Sequence, residues 1–245
     1  MSETVLEVKN LHKKFGETEI LKGVDLSIQQ GEVLVLLGAS GSGKSTLLRT
    51  LNGLETIEQG EIFFQGNKLT LSEKAWEKHR TEIGMVFQSY ELFPNMNVLE
   101  NLLLGPLKVQ KRERKSVEKV ALELLERVGL REKASSYPRE LSGGQKQRVA
   151  IVRALIMEPQ LLLFDEITAS LDPEMVREVL LVLQDLAKEG KTMLIVTHEM
   201  KFARLVADRI IFMDEGVIIA EQSAEEFFDK QENPRILNFL NSLDF

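Results

Sequence analysis

The chain has 245 residues, 43% hydrophobic and 28% charged, with a formal net charge of −7, the balance of a globular protein with enough length to bury a sizeable core. The acidic excess gives no electrostatic case for a nucleic-acid partner, and the lack of cysteine excludes a disulfide framework and thiolate metal sites. No apolar run approaches the ~20 residues of a membrane span, Met1-Ser2-Glu3-Thr4 does not open a secretory leader, and the scattered His12, His79 and His198 argue against zinc.

In chain order, Val5, Glu7 and Lys9 alternate with Leu6, Val8 and Asn10, and Ile20, Val24, Leu26 and Ile28 follow, which predicts half-buried antiparallel strands with Phe15-Gly16 in the turn between them. Val33 to Leu37 is continuously apolar, as a strand covered on both faces would be. Gly60 to Phe64 reads as another strand, Gly66-Asn67 as a turn, Ser72 as the cap of a helix to about Lys78, and Ile83 to Phe87 as a strand ending at Gln88. The pattern then turns helical. Val98 to Leu104 shows helical spacing. Val117, Val120, Ala121, Leu124, Leu125 and Val128 share one helix face, and Gly129 stops it. The basic-rich residues 108–119 are interrupted by Glu113 and Glu118 and read as a solvated helix face. A helical subdomain over about 90–156 therefore interrupts an α/β core, its last helix running from Lys146 to about Met157. Leu161 to Phe164 is a buried strand leading into Asp165-Glu166. Asp172-Pro173-Glu174 starts a helix that ends near Lys188. Met193 to Val196 is a fourth apolar strand, ending at Thr197-His198, and a helix from about Glu199 to Ala207 follows. Ile210 to Met213 and Val217 to Ala220 flank a hairpin turn, and the tail from about Ala224 is helical.

The stretch Gly38-Ala39-Ser40-Gly41-Ser42-Gly43-Lys44-Ser45, followed by Thr46, matches G-x-x-x-x-G-K-[ST] between a strand and a helix. At ordinary residue usage the pattern arises by chance in roughly one chain of this length in a hundred. Glycines let successive N–H groups turn inward at phosphate oxygens, and the helix adds its positive end. Lys44 is expected at the β- and γ-phosphates and the Ser45 hydroxyl on Mg²⁺. In open α/β sheets ligands sit beyond the carboxyl ends of the strands. Gln88, Asp165-Glu166 and His198 occupy such ends. Asp165 would hold the Mg²⁺ shell and Glu166 polarise the attacking water. Gln88 offers an amide to Mg²⁺ or to that water, and His198 a donor to the γ-phosphate. Position alone leaves each of these two equally open to an ordinary strand-end role.

Leu141-Ser142-Gly143-Gly144-Gln145, taken with the phosphate loop and Leu161-Leu162-Leu163-Phe164-Asp165-Glu166, resembles the ATP-binding cassette ATPases over nearly the whole chain. The resemblance implies one nucleotide-binding domain over 1–245. It would have a P-loop NTPase core with a parallel-rich sheet, an N-terminal antiparallel β-subdomain and an inserted α-helical subdomain. Gln88 matches that family's Q-loop glutamine, Ser170-Leu171-Asp172 its D-loop and His198 its switch histidine, and Phe15 sits where it stacks an aromatic on adenine. Ser142, Gly143, Gly144 and Gln145 would meet ATP bound by a second copy in a head-to-tail dimer. The stretches Val86-Phe87-Gln88 through Leu92-Phe93-Pro94, Met96 through Asn101 and Ala121 through Gly129 are further similar to the ATPases of bacterial polar amino acid importers, as are Thr197-His198-Glu199-Met200 with Phe202-Ala203, and Val206 through Gly216. This implies a peripheral subunit on the cytoplasmic face of the inner membrane, beneath a separate permease whose coupling helix meets the region after Gln88. A periplasmic binding protein would serve that permease. The alternative is the same motor in lipid or lipoprotein export or in a cell-division membrane complex. The chain departs from the family at Ile167, where proline is usual, at Ala169-Ser170, where Ser-Ala is usual, and at Ser89-Tyr90-Glu91. The first departure bears on how stiffly Glu166 is presented.

Overall fold

Two sheets organise the described residues, which in this computed structural model are 3–70 and 72–242. Met1 and Ser2, within the stretch read for a leader, lie outside them, as do residues 243–245 of the tail. The chain begins with β1 (Thr4–Phe15), β2 (Thr18–Gln29), β3 (Val33–Gly38) and α1 (Lys44–Leu51), then β4 (Gln59–Phe64), β5 (Asn67–Lys68), α2 (Glu73–His79) and β6 (Ile83–Val86). Between β6 and β7 (Leu161–Asp165) it is helical, with α3 (Val98–Lys108), α4 (Arg114–Arg127), α5 (Gly143–Leu155) and two short 3₁₀ turns. It closes with α6 (Pro173–Lys188), β8 (Met193–Val196), α7 (Met200–Val206), β9 (Arg209–Asp214), β10 (Val217–Ser223), α8 (Ala224–Asp229) and α9 (Pro234–Asn241).

The order β2-β1-β4-β5 forms the antiparallel sheet, and β10-β9-β3-β8-β7-β6 the second, parallel throughout except for the edge strand β10. Alternation along the parallel strands sorts side chains to two faces. Leu34, Leu36, Leu161, Leu163, Leu194 and Val196 point to a core shared with the antiparallel sheet and α1. Val35, Leu162, Phe164, Met193 and Ile195 face a second core with α5, α6 and α9. Covering both faces is why these strands read as continuous apolar runs.

Register fixes where the strands end. Leu36 pairs with Val196, Val196 with Asp165, and Phe164 with Val86. The residues that follow on β3, β8, β7 and β6 therefore leave the sheet along one edge. The helices between β6 and β7 carry a third core, in which Val117, Ala121 and Leu125 of α4 are fully buried against α3 and α5.

Several boundaries differ from the sequence reading: β1 extends through Phe15, which the sequence places in the turn, Asn67 lies in β5, α3 continues to Lys108 and β10 to Ser223. α5 starts at Gly143 and not at Lys146, because Ser142 and Gln145 cap it reciprocally and outweigh the poor helix propensity of two glycines. β6 stops at Val86, which puts Phe87 in the loop with Gln88.

Candidate functional site

The loop between β3 and α1 is shaped by what its glycines allow. A Cβ on Gly38 would lie 2.1 Å from the Met213 carbonyl oxygen. Gly43, at the start of α1, holds φ +104, and a Cβ there would come within 3.1 Å of the Ile20 carbonyl oxygen. A larger residue fits at neither position. The Lys44 ammonium, buried, donates to the Gly38 and Ala39 carbonyls at 2.9 Å each and closes the loop on itself. Burial pulls Lys44 below the ordinary lysine range, against the field of Glu166 and Asp165. Ser40 and Gly41 remain exposed at the tip, and Thr46 lies in the first turn of α1.

Across from the loop, the Ser45 hydroxyl donates to Asp165 Oδ1 at 2.7 Å. Burial raises the Asp165 carboxyl above its usual range, and the Ser45 hydrogen bond, Arg49 and Lys44 oppose that rise. Glu166 behaves in the opposite sense. His198 Nε2 lies 3.1 Å from Glu166 Oε1, and this hydrogen bond holds the carboxyl below its usual range. The two adjacent acids thus have opposed environments, one set by burial and one by a histidine. Gln88 is exposed, and its amide donates to Ser170 Oγ at 3.4 Å.

Ser45, Arg49, Gln88, Tyr90, Asp165 and Ser170 line one cavity of about 870 Å³. Its hydroxyl and carboxylate are hard oxygen donors that suit Mg²⁺, which binds one or two carboxylates and shares the rest of its shell with phosphates and water. Among the described residues no cluster of three or more His, Cys, Asp or Glu side chains can hold a metal by itself. A divalent ion here would complete its shell with water or with oxygens from a bound ligand.

Of the sequence-derived residues, Ser45, Gln88 and Asp165 line this cavity, while Gly38 to Lys44, Thr46, Glu166, His198, Phe15, Ser142 to Gln145 and Asp172 lie outside its wall. Phe15 ends β1 with 49% exposure. Ser142 to Gln145 form the start of α5 and are absent from the cavity wall, with Gly143 and Gly144 packed on Tyr90, Leu171 and Met175. Asp172 accepts from the Met175 N–H at 3.0 Å and caps α6. The sequence reading missed three residues. Arg49 stands one turn beyond Ser45 on α1, a spacing that puts both on one face. Gln147 and Arg153 hold the segment after β6. Gln147 Nε2 donates to the Phe87 carbonyl at 3.3 Å. Arg153 donates to the Tyr90 and Glu91 carbonyls, whose residues both hold positive φ. Neither side chain carries a local signal, because what it grips lies about sixty residues earlier.

A phosphate loop at the carboxyl edge of a parallel sheet, with a hydroxyl–carboxylate pair and a second, histidine-paired carboxylate beside it, defines a P-loop nucleotide-binding protein. The comparisons narrow the class. The ABC transporter family model matches residues 21–169. The chain is 51% identical to the L-cystine import ATP-binding protein TcyC of Bacillus subtilis, over 98% of each chain. It is 50% identical to the glutamate/aspartate import ATP-binding protein GltL of Escherichia coli K12, over 96% of this chain and 98% of that one. Among solved structures, the dimeric ATP-binding cassette MJ0796 in a post-hydrolysis state bound to ADP and Pi superposes with a TM-score of 0.81 at 36% identity, covering 89% of this chain and 98% of that one. The chain belongs to the ABC transporter family, and its fold is that of the ATP-binding cassette.

Proposed function

We propose that the chain is the ATP-hydrolysing subunit of a polar amino acid importer, and that it works as a dimer with a second copy of itself. The observation that carries the reading is the Ser45–Asp165 pair beside the Glu166–His198 pair at one sheet edge, in a chain about half identical to import ATP-binding proteins over nearly its full length. The loop from Gly38 to Thr46 holds the phosphates through its N–H groups, and Lys44 gives up its two carbonyl contacts to reach the β- and γ-phosphates. Ser45 and Asp165, with Gln88, would hold Mg²⁺, which would supply positive charge against the phosphates. Glu166, kept ionised by His198, accepts the proton of the attacking water, and His198 then faces the γ-phosphate. Phe15 stacks on the adenine. Ser142, Gly143, Gly144 and Gln145 present the start of α5 to ATP held by the partner copy, and Asp172 borders the same junction.

No helix of the described residues is long and apolar enough to cross a membrane, and the transport path of the proposed importer lies in a separate permease. A groove of about 570 Å³ lined by Phe93, Leu102, Leu104, Pro106, Val109 and Met157 suits the permease's coupling helix. Phe93 and Val109 stand about half exposed there. On this reading the chain sits peripherally on the cytoplasmic face of the membrane, with a periplasmic binding protein supplying the permease.

The test uses Glu166→Gln. With Mg²⁺ and ATP this variant is expected to bind nucleotide and to lose turnover by about 10²-fold or more. Drawn gently from native membranes, it should bring a small polytopic amino acid permease. Normal turnover would remove the role given to Glu166. Recovery of a lipid-extraction or cell-division complex in place of a permease would keep the motor and overturn the importer.

A further inference from the structure

Lys13 is 4% exposed although it is charged, and it lies two residues before the half-exposed Phe15. Its ammonium stands 3.3 Å from Thr56 Oγ1, 3.5 Å from Glu55 Oε2 and 3.8 Å from Glu58 Oε1. It also lies 4.9 Å from the centre of the Phe15 ring. The segment that supplies these anions follows directly from the helix of the phosphate loop. α1 ends at Leu51, and the Arg49 carbonyl accepts from the Leu54 and Glu55 N–H groups, folding the segment back on the helix. The same segment grips the tip of β1 by its backbone. The Glu58 N–H donates to the His12 carbonyl at 3.0 Å, and Glu58 Oε2 accepts from the Lys14 N–H at 2.8 Å.

A buried ammonium with loose ion pairs is a poor source of stability, because desolvation offsets most of the attraction. It is well suited to holding an aromatic ring, since a cation is attracted to one π-face and leaves the other free. We infer that Lys13 is a positioning residue for the nucleobase: it fixes the Phe15 ring against the segment 54–58 and so ties the base platform to the phosphate loop through α1. Base and triphosphate subsites are then held at a set separation by one continuous element. The inference rests on the proposed stacking of adenine on Phe15.

The test compares two ligands on the full-length protein by calorimetry, ATP and inorganic tripolyphosphate, each with Mg²⁺. The second offers the phosphates without a base. Phe15→Ala is expected to weaken ATP binding by about 10-fold or more and to leave tripolyphosphate unchanged. Lys13→Met is expected to weaken ATP by about 5-fold, again without effect on tripolyphosphate. Lys13→Arg should keep the wild-type ratio, and Lys13→Met should add nothing to Phe15→Ala. If Lys13→Met lowers both affinities equally, or neither, Lys13 has only a structural role and the inference fails. If Phe15→Ala leaves the ratio of the two affinities unchanged, the stacking reading fails and takes this inference with it. Should Lys13→Met not fold, Glu58→Gln removes one anchor of the ammonium at an exposed position. A smaller drop in the same ratio supports the inference, and an unchanged ratio overturns it.

Discussion

Asp165 is a buried carboxyl that accepts from Ser45 and lies in the fields of Arg49 and Lys44. Burial raises its affinity for a proton in the folded chain, while in the unfolded chain it has the ordinary value. The folded state therefore binds more protons here, and stability from the neutral form is present at low pH and lost as pH rises through the raised folded value. Glu166 runs the other way. The stability that its His198 bond contributes is present above the ordinary glutamate range and lost as pH falls through the lowered folded value. Asp165→Asn is expected to stabilise the ligand-free protein at neutral pH by about 1 kcal/mol, or about 2–4 °C in melting temperature for a chain of this size. The same variant should lose the further stabilisation that Mg²⁺ with ATP gives the wild type. Melting curves at several pH values, with and without Mg-ATP, check both; an Asn variant less stable than wild type would show that burial is not what the Asp165 charge opposes. The neighbouring departure acts through backbone geometry. Glu166 holds φ +47, and the next residue, Ile167, is 4% exposed in the core beneath α5 and α6. Proline there would restrict Glu166 away from helical backbone and remove part of the buried side chain. Ile167→Pro is expected to cost about 1–3 kcal/mol and to change turnover several-fold by moving Glu166 off His198. Unchanged turnover and unchanged ATP-driven dimerisation would mean that Ile167 does not set how Glu166 is presented.

At the scale of elements, caps separate scaffolding from chemistry. Asp172 accepts from the first turn of α6, with Pro173 at the first helical position. Asp172→Asn keeps the cap and should leave stability within a few tenths of a kcal/mol, whereas Asp172→Ala should cost about 1 kcal/mol. If both variants lose turnover alike while only the second loses stability, Asp172 acts at the dimer junction as well as on its helix. Denaturant unfolding and an ATPase assay on the two proteins separate these roles. The caps also show why so much of the fold was legible in the sequence. Ser72, Asp172-Pro173 and the continuous apolar runs of the parallel strands are local signals, and each element they predict is present. The strand ends carry the site for the same reason, since register follows from the buried strands that pair. What was not legible is non-local. The pairing of β4 with β1 joins residues about fifty positions apart, such as Leu6 with Phe64. Lys13 reads as one more surface lysine until Glu55, Glu58 and Thr56 are folded over it. Gln147 and Arg153 likewise acquire partners only when α5 lies against the loop after β6.

For the whole molecule, the proposed dimer gives the start of α5 a place in the chemistry. The start of a helix favours an anion, and here Ser142 N–H donates to Gln145 Oε1, Gly144 N–H to Met175 Sδ and Gln145 N–H to Ser142 Oγ, bonds that a partner's phosphate would replace or join. In a two-fold dimer each such end would complete the partner's phosphate loop, and each site would be built from both chains. This arrangement has a consequence that no self-contained site shares. Lys44→Ala spoils a chain's phosphate loop and leaves its α5 end intact; Ser142→Arg does the reverse. Each variant alone should be inactive, because every site in its homodimer is broken. In a mixed dimer one site combines both lesions, and the other combines an intact loop with an intact α5 end. Equal mixing makes half the dimers mixed, with one sound site of two, so up to about a quarter of wild-type turnover should return. Turnover of the two variants, apart and mixed, measures this directly. Activity that returns on mixing requires each site to draw on both copies. A mixture as inactive as its components, with mixed dimers confirmed by mass measurement, would mean that each chain builds its site alone or that one sound site cannot turn over without the other, and trapping ATP in the mixed dimer with Glu166→Gln added to the Ser142→Arg chain separates those two cases.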